Sequence, residues 1–110
     1  MQGVDSITRP KMIPIDITAA GDNIIIPASD DLIYVRQLLL TAPGGANVIE
    51  LKNGSEVLSN FGINANDGIV LEMSWFDYPF LFECDPGEDF IINLGTGTNV
   101  KGHLVYGYRK

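Results

Sequence analysis

The feature that most constrains this chain is the spacing of its breakers: runs rich in Ile, Val, Leu, Tyr and Phe are cut by Gly, Pro, Asn and Asp signals roughly every 8 to 12 residues. Short strands with turns at that rhythm build an all-β sandwich or barrel, and no stretch carries the apolar period of an ordinary amphipathic helix. Residues 12–18 open the series, with Ile13, Ile15 and Ile17 on one face and Pro14 and Asp16 on the other. Proline cannot donate a ladder hydrogen bond, so Pro14 predicts an edge strand. Gly21-Asp22 turns the chain into residues 23–27, and Ser29-Asp30-Asp31 turns it again into residues 32–41. Strict alternation in that long run sets Ile33, Val35 and Leu39 against Tyr34, Arg36, Leu38 and Leu40. Two fairly apolar faces predict a central strand.

Pro43-Gly44-Gly45 precedes residues 48–52, and Asn53-Gly54 predicts a two-residue hairpin with positive φ at both positions. Residues 55–62 either continue that hairpin or form one helical turn. Asn66-Asp67-Gly68 leads into residues 69–74, and Phe80, Phe82 and Cys84 share a face in the next run. Asp85-Pro86-Gly87-Glu88 has the form of a type II turn, with proline presetting φ at the second position and glycine supplying positive φ at the third. Phe90, Ile92 and Leu94 alternate next, and after a turn at residues 95–98 a last strand places Val100, Gly102, Leu104, Tyr106 and Tyr108 on one face. About eight strands without helical crossovers make an antiparallel, jelly-roll-like β-sandwich the simplest closed arrangement, with an immunoglobulin-like sandwich second. Residues 12–110 form one such domain. Residues 1–11, polar and ended by Arg9-Pro10-Lys11, form an extended arm outside the core.

Composition narrows the function. With 45% apolar and 19% charged residues the chain can bury a core, yet no apolar run nears the roughly 20 residues of a membrane span, so no membrane partner is expected. The first twelve residues show neither a secretory nor a transit pattern. A net charge of −7 opposes nucleic-acid binding, which needs clustered Lys and Arg. Residues 12–100 hold 13 acids against Arg36 and Lys52 alone, while Arg9, Lys11, Lys101, Arg109 and Lys110 gather toward the two ends. If the terminal strands lie side by side, a basic edge borders an acidic body.

Catalytic chemistry finds little to work with. His103 and Cys84 are the only histidine and thiol, and alternation points them to different environments, so no dyad, no internal disulfide and no cysteine zinc site is expected. Asp85, Glu88 and Asp89 cluster on a turn, where acids cap amides; a calcium site there or at Asp30 and Asp31 lacks the spacing of an EF-hand. Gly95-Thr96-Gly97-Thr98 lacks the lysine and helix of a phosphate loop, and Asn53-Gly54-Ser55 is better explained as a hairpin than as a glycosylation acceptor. No catalytic residue, cofactor or metal is therefore assigned, and the chain is expected not to be an enzyme. Its most unusual stretch is Trp75-Phe76-Asp77-Tyr78-Pro79-Phe80-Leu81-Phe82, with five of ten aromatic residues. Phe80 and Phe82 suit the core. Trp75, Phe76 and Tyr78, beside a proline bend, suit a contact surface in which rigid rings supply area at low entropic cost.

The runs Ile13-Pro14-Ile15-Asp16-Ile17-Thr18, Ile25-Ile26-Pro27-Ala28, Ile33-Tyr34-Val35-Arg36 and Leu51-Lys52-Asn53-Gly54 carry a wider likeness, as do Pro86-Gly87-Glu88-Asp89-Phe90 and the closing residues 100–106. Together they resemble the small all-β virion proteins of tailed bacteriophages, especially capsid decoration or cement proteins. The resemblance implies a structural protein of the virion, made in the host cytoplasm and assembled as a homo-oligomer, with a trimer favoured. It would bind the major capsid protein or another virion protein. The contact is expected to use the edge strand at Pro14, the arm residues Arg9 and Lys11, and Trp75, Phe76 and Tyr78. The alternatives are a tail or fibre component, or a carbohydrate-binding sandwich in which Trp75 or Tyr78 stacks on a sugar and Asp77 accepts its hydroxyls.

Overall fold

The computed structural model describes residues 9–72 and 81–109. Among them are nine strands: β1 (Lys11–Ile17), β2 (Gly21–Ile26), β3 (Leu32–Thr41), β4 (Asn47–Asn53), β5 (Glu56–Ile63), β6 (Gly68–Glu72), β7 (Phe82–Cys84), β8 (Phe90–Leu94) and β9 (Val100–Arg109). They form two antiparallel sheets. The first runs β1-β9-β3-β6, with β7 also on β3, and the second runs β2-β8-β4-β5. With the three-residue β7 set aside, eight strands are shared four to each sheet in the interleaved order of a jelly roll, so the predicted sandwich is the observed fold. The ninth strand is β7, and residues 56–63 are strand rather than helical turn. Among the described residues no helix is long and apolar enough to cross a membrane.

Period-two alternation fills the space between the sheets. Ile15, Ile33, Val35, Leu38, Leu40 and Leu104 point in from the first sheet and meet Ile26, Ile49, Leu51, Phe90, Ile92 and Leu94 from the second. Each such side chain contributes about 1.5–3 kcal/mol by leaving water, which is why the core needs no staple. Phe82 of β7 and Phe90 of β8 bridge the sheets with ring centroids 5.2 Å apart. Backbones approach closely at Gly102, where a Cβ would collide with the Leu39 carbonyl.

Two sequence expectations are corrected. Strict alternation along β3 fails because the β3–β9 register shifts between Val35 and Gln37, so Arg36 forms a bulge. The extra residue inverts parity: Leu38 and Leu40 join Ile33 and Val35 in the core, and Leu39 turns to the outer face. The strand is central, as two apolar faces demanded. At the β4–β5 hairpin, Asn53 pairs with Glu56, so the loop is Gly54-Ser55 rather than Asn53-Gly54. Only Gly54 takes positive φ, at 59°, as a type II′ turn requires of its first central residue. The turn at Pro86-Gly87 follows expectation, with Gly87 at φ 86° and the Glu88 amide donating to the Asp85 carbonyl at 3.0 Å.

Candidate protein interface

The outer face of the first sheet is the surface of interest, and cross-strand register assembles it residue by residue. One row runs Met12, Val105, Gln37, Glu72, and the next runs Pro14, His103, Leu39, Val70. A third runs Asp16, Lys101, Thr41, Gly68. Met12 is 63% exposed and Val70 56% exposed, with half-buried Val105 and Leu39 between them. A sheet face left in water is normally polar, so five apolar residues in two adjacent rows make this face the candidate contact surface. Polar groups in this patch are tied together: Gln37 Nε2 donates to Glu72 Oε1 at 2.6 Å, and His103 Nε2 lies 3.4 Å from Gln37 Oε1.

Of the residues expected to make contact, Pro14 lies in this patch, on an exposed edge strand as predicted. Lys11 is exposed at the start of β1 but has the opposite parity, facing Tyr106, and Arg9 is exposed two residues before it. Trp75, Phe76 and Tyr78, with Asp77 and Phe80, lie outside the described residues. Met12, Leu39, Val70 and Val105 were missed. Val105 and Val70 were legible by alternation opposite Leu104 and Leu71, whereas Leu39 was hidden by the bulge.

The terminal strands do lie side by side, β1 against β9, which brings Arg9 and Lys11 toward the Arg109 end of the sheet. Arg109 Nη1 is 3.4 Å from Glu83 Oε2. On the second sheet Lys52 Nζ bridges to Asp22 at 3.1 Å, and Asn93 Nδ2 donates to the same carboxylate at 2.6 Å. The Asn93 bond first and Lys52 second hold the Asp22 carboxyl below the usual range.

The lone thiol and the lone imidazole sit apart from one another. Cys84 is fully buried, facing Ile33 across the ladder, and its thiol is pushed up to about 12 by burial and then by Asp85, Glu88 and Asp89. His103 belongs to the outer face, so the two point to opposite sides of the sheet. Two of the turn acids bond to groups distant in sequence: Asp85 accepts from Asn53 Nδ2 at 3.1 Å, and Asp89 accepts from the Ala28 amide at 2.6 Å. Among the described residues no three His, Cys, Asp or Glu side chains converge to hold a metal. An open depression beside β4 and β5 is lined by Asn47, Val48, Ile63 and Thr96. Its buried Asn47 is committed to the turn at residues 95–98, donating to the Thr96 and Thr98 carbonyls at 3.2 Å and accepting from the Thr96 amide at 3.2 Å.

No protein-family model matches the chain, and no curated protein matches it in sequence. Two solved structures are similar in part or in whole. A subunit from a structure showing that Bacillus endospore appendages form a novel family of disulfide-linked pili is similar with a TM-score of 0.52 at 19% identity, covering 94% of this chain and 87% of that one. The Dit protein of phage SPP1, described as a paradigm of hub adsorption apparatus in phages that infect Gram-positive hosts, has a TM-score of 0.43 at 10% identity. That match covers 88% of this chain and 46% of the other. The first of these likenesses defines a class, the antiparallel two-sheet sandwich.

Proposed function

We propose that this chain is a structural protein of a phage virion, a decoration protein that binds the head surface as a homo-oligomer and catalyses nothing. The observation that carries the reading is the outer face of the first sheet, where Met12 and Val70 stand more than half exposed around Pro14, Leu39 and Val105. Such a surface is stabilised by being covered with protein. A contact of about 800 Å² on each partner, repeated around a symmetric particle, gives avidity that no single site supplies. The sequence resemblance to decoration proteins agrees with this use of the surface. Cys84 is buried and protonated, so the contacts proposed here are noncovalent.

The test is binding of the purified chain to undecorated heads and, in parallel, to isolated tails. Saturable binding to heads that is lost in a Met12→Lys, Val70→Lys double variant with an unchanged melting temperature supports the reading. Binding to tails alone moves the protein to the other end of the particle, and affinity for neither overturns the proposal.

A further inference from the structure

The sheets end in β1 and β6 with β7 on one side of the sandwich and β2 and β5 on the other. Unpaired strand edges invite another strand, and proteins guard them with proline, lysine, bulges or shortness. β1 carries Lys11 and Pro14; β2 has a register shift between Ile24 and Ile26 and ends before Pro27; β6 and β7 show five and three residues among those described. β5 differs. It is eight residues long, contains neither proline nor lysine, and has a single charge, Glu56, at its first position. Its bulge, at Leu58, lies near the start, and residues 59–63 pair with β4 without interruption. Val57 and Leu58 are 46% and 37% exposed on this edge.

Hydrogen-bond parity shows which groups the edge offers. The Val48 carbonyl accepts from the Gly95 amide at 2.9 Å, on the side of β4 away from β5. In an antiparallel ladder the N–H and C=O of one residue point the same way and alternate along the strand. Val48 and Glu50 therefore face β8, and their partners on β5, Gly62 and Asn60, direct both backbone groups out of the sheet.

We propose that β5 is a self-association edge, to which a second copy of this chain adds its own β5 antiparallel about a two-fold axis at Phe61. In this register Asn60 of each copy opposes Gly62 of the other, and each pair exchanges both N–H···O bonds. Three observations select a second copy. Among the described residues β5 is the unguarded edge, so the edge another copy can best offer it is its own β5. The antiparallel arrangement carries the two Glu56 carboxylates to opposite ends, whereas parallel pairing would set like charges together. Gly62 opposite Asn60 leaves the contact uncrowded. The arrangement is isologous, closes at two copies through this edge, and joins the two second sheets into one of eight strands. It does not depend on which particle the chain serves.

The experiment is sedimentation of the intact chain over a range of concentrations beside Asn60→Pro, which removes an N–H that β4 does not use and that an edge strand tolerates losing. A reversible dimer is expected, with its dissociation constant raised at least about tenfold by the proline. A second measurement survives any misfolding of that variant: Asn60→Cys and Gly62→Cys chains are oxidised separately and mixed. A Cβ at Gly62 meets nothing closer than the Asn47 carbonyl oxygen at 3.8 Å, and Cys84 is buried. Opposed residues of a hydrogen-bonded pair lie about 5.5 Å apart, within disulfide range, so the mixture should cross-link and the separate chains should not. A monomer at every concentration, a trimer indifferent to Asn60→Pro, or equal cross-linking in mixed and separate samples overturns the proposal. Head binding can fail while this dimer persists, and the dimer can fail while heads are still bound, so the two readings are separately judged.

Discussion

Gly107 is the residue on which the packing of the outer sheet face turns. It lies opposite Tyr34, and a Cβ there would collide with the phenol ring, which is 1% exposed although it belongs to the outward parity of β3. The ring lies over Gly107, in the space that a side chain across the ladder would fill. Gly107→Ala should therefore destabilise the fold by about 1–3 kcal/mol in urea denaturation, the usual cost of overpacking. The same change should cost less in a Tyr34→Leu background, where the colliding atoms are gone. Cys84 gives a second expectation at this scale. Its thiol is raised from 9.0 to about 12, so it contributes stability that is complete below the unfolded value and lost as pH climbs from about 9 toward 12. Tyr108, also raised by burial first and then by Tyr106, acts in the same direction. A thiol reagent at pH 8 should label Cys84 only as fast as the protein unfolds, and rapid labelling of the native chain would refute this burial. Asp22 behaves oppositely. Its depressed carboxyl lends stability that is present above about 3.8 and fades as pH falls through the folded value. Asn93→Ala and Lys52→Met should each move the titration of Asp22 back toward its ordinary range, as read by NMR.

At the scale of the element, β3 decides what the molecule shows to its surroundings. The bulge at Arg36 puts Leu38 inside and Leu39 outside, and the two leucines should answer to truncation very differently. Leu38→Ala empties core volume and should cost about 2–5 kcal/mol, while Leu39→Ala should cost under about 1 kcal/mol. The reverse order, with Leu39→Ala the costlier, would mean that the strand alternates without interruption. This strand also shows why the sequence was legible only in part. Alternation in β1, β8 and β9 pointed to Ile15, Phe90, Ile92, Val100 and Leu104, and all are buried, because period two is enforced wherever a strand crosses the core unbroken. In β3 an apolar residue follows every apolar residue from Leu38 to Leu40, so either parity satisfies the pattern. The choice is made by a bulge that depends on how β9 and β3 pair, a long-range event with no local signature. The hairpin misreading has a related cause: Asn53-Gly54 favours one turn locally, but Asn53 is drawn into the ladder and its amide is bonded to Glu56 and Asp85. The outer apolar patch was hidden for the same reason, since its rows are built across four strands whose neighbours alternation does not name.

At the scale of the whole molecule, charge and apolar area make opposite demands on association, and salt separates them. Each copy carries −7, and two of its seven basic residues are already engaged at home, Lys52 with Asp22 and Arg109 with Glu83. Copies that approach therefore repel over the Debye length, about 10 Å at 0.1 M ionic strength and about 3 Å at 1 M. The surfaces that would meet are lined by Met12, Val70, Val57 and Leu58, whose burial does not weaken as ions are added. Raising ionic strength from 0.1 to 1 M should then strengthen self-association, visible as a larger sedimenting species at fixed protein concentration. Contacts dominated by Arg9 and Lys11 docking on a neighbour's acids would show the reverse, dissolving as salt screens the attraction. The sign of that single dependence states whether the basic end of the first sheet or the apolar surfaces of the two sheets hold copies together. The Val57→Lys variant sharpens it: a new cation beside Glu56 relieves net repulsion but breaks the apolar edge. A weaker assembly in that variant at every salt concentration would locate the attraction in β5 itself.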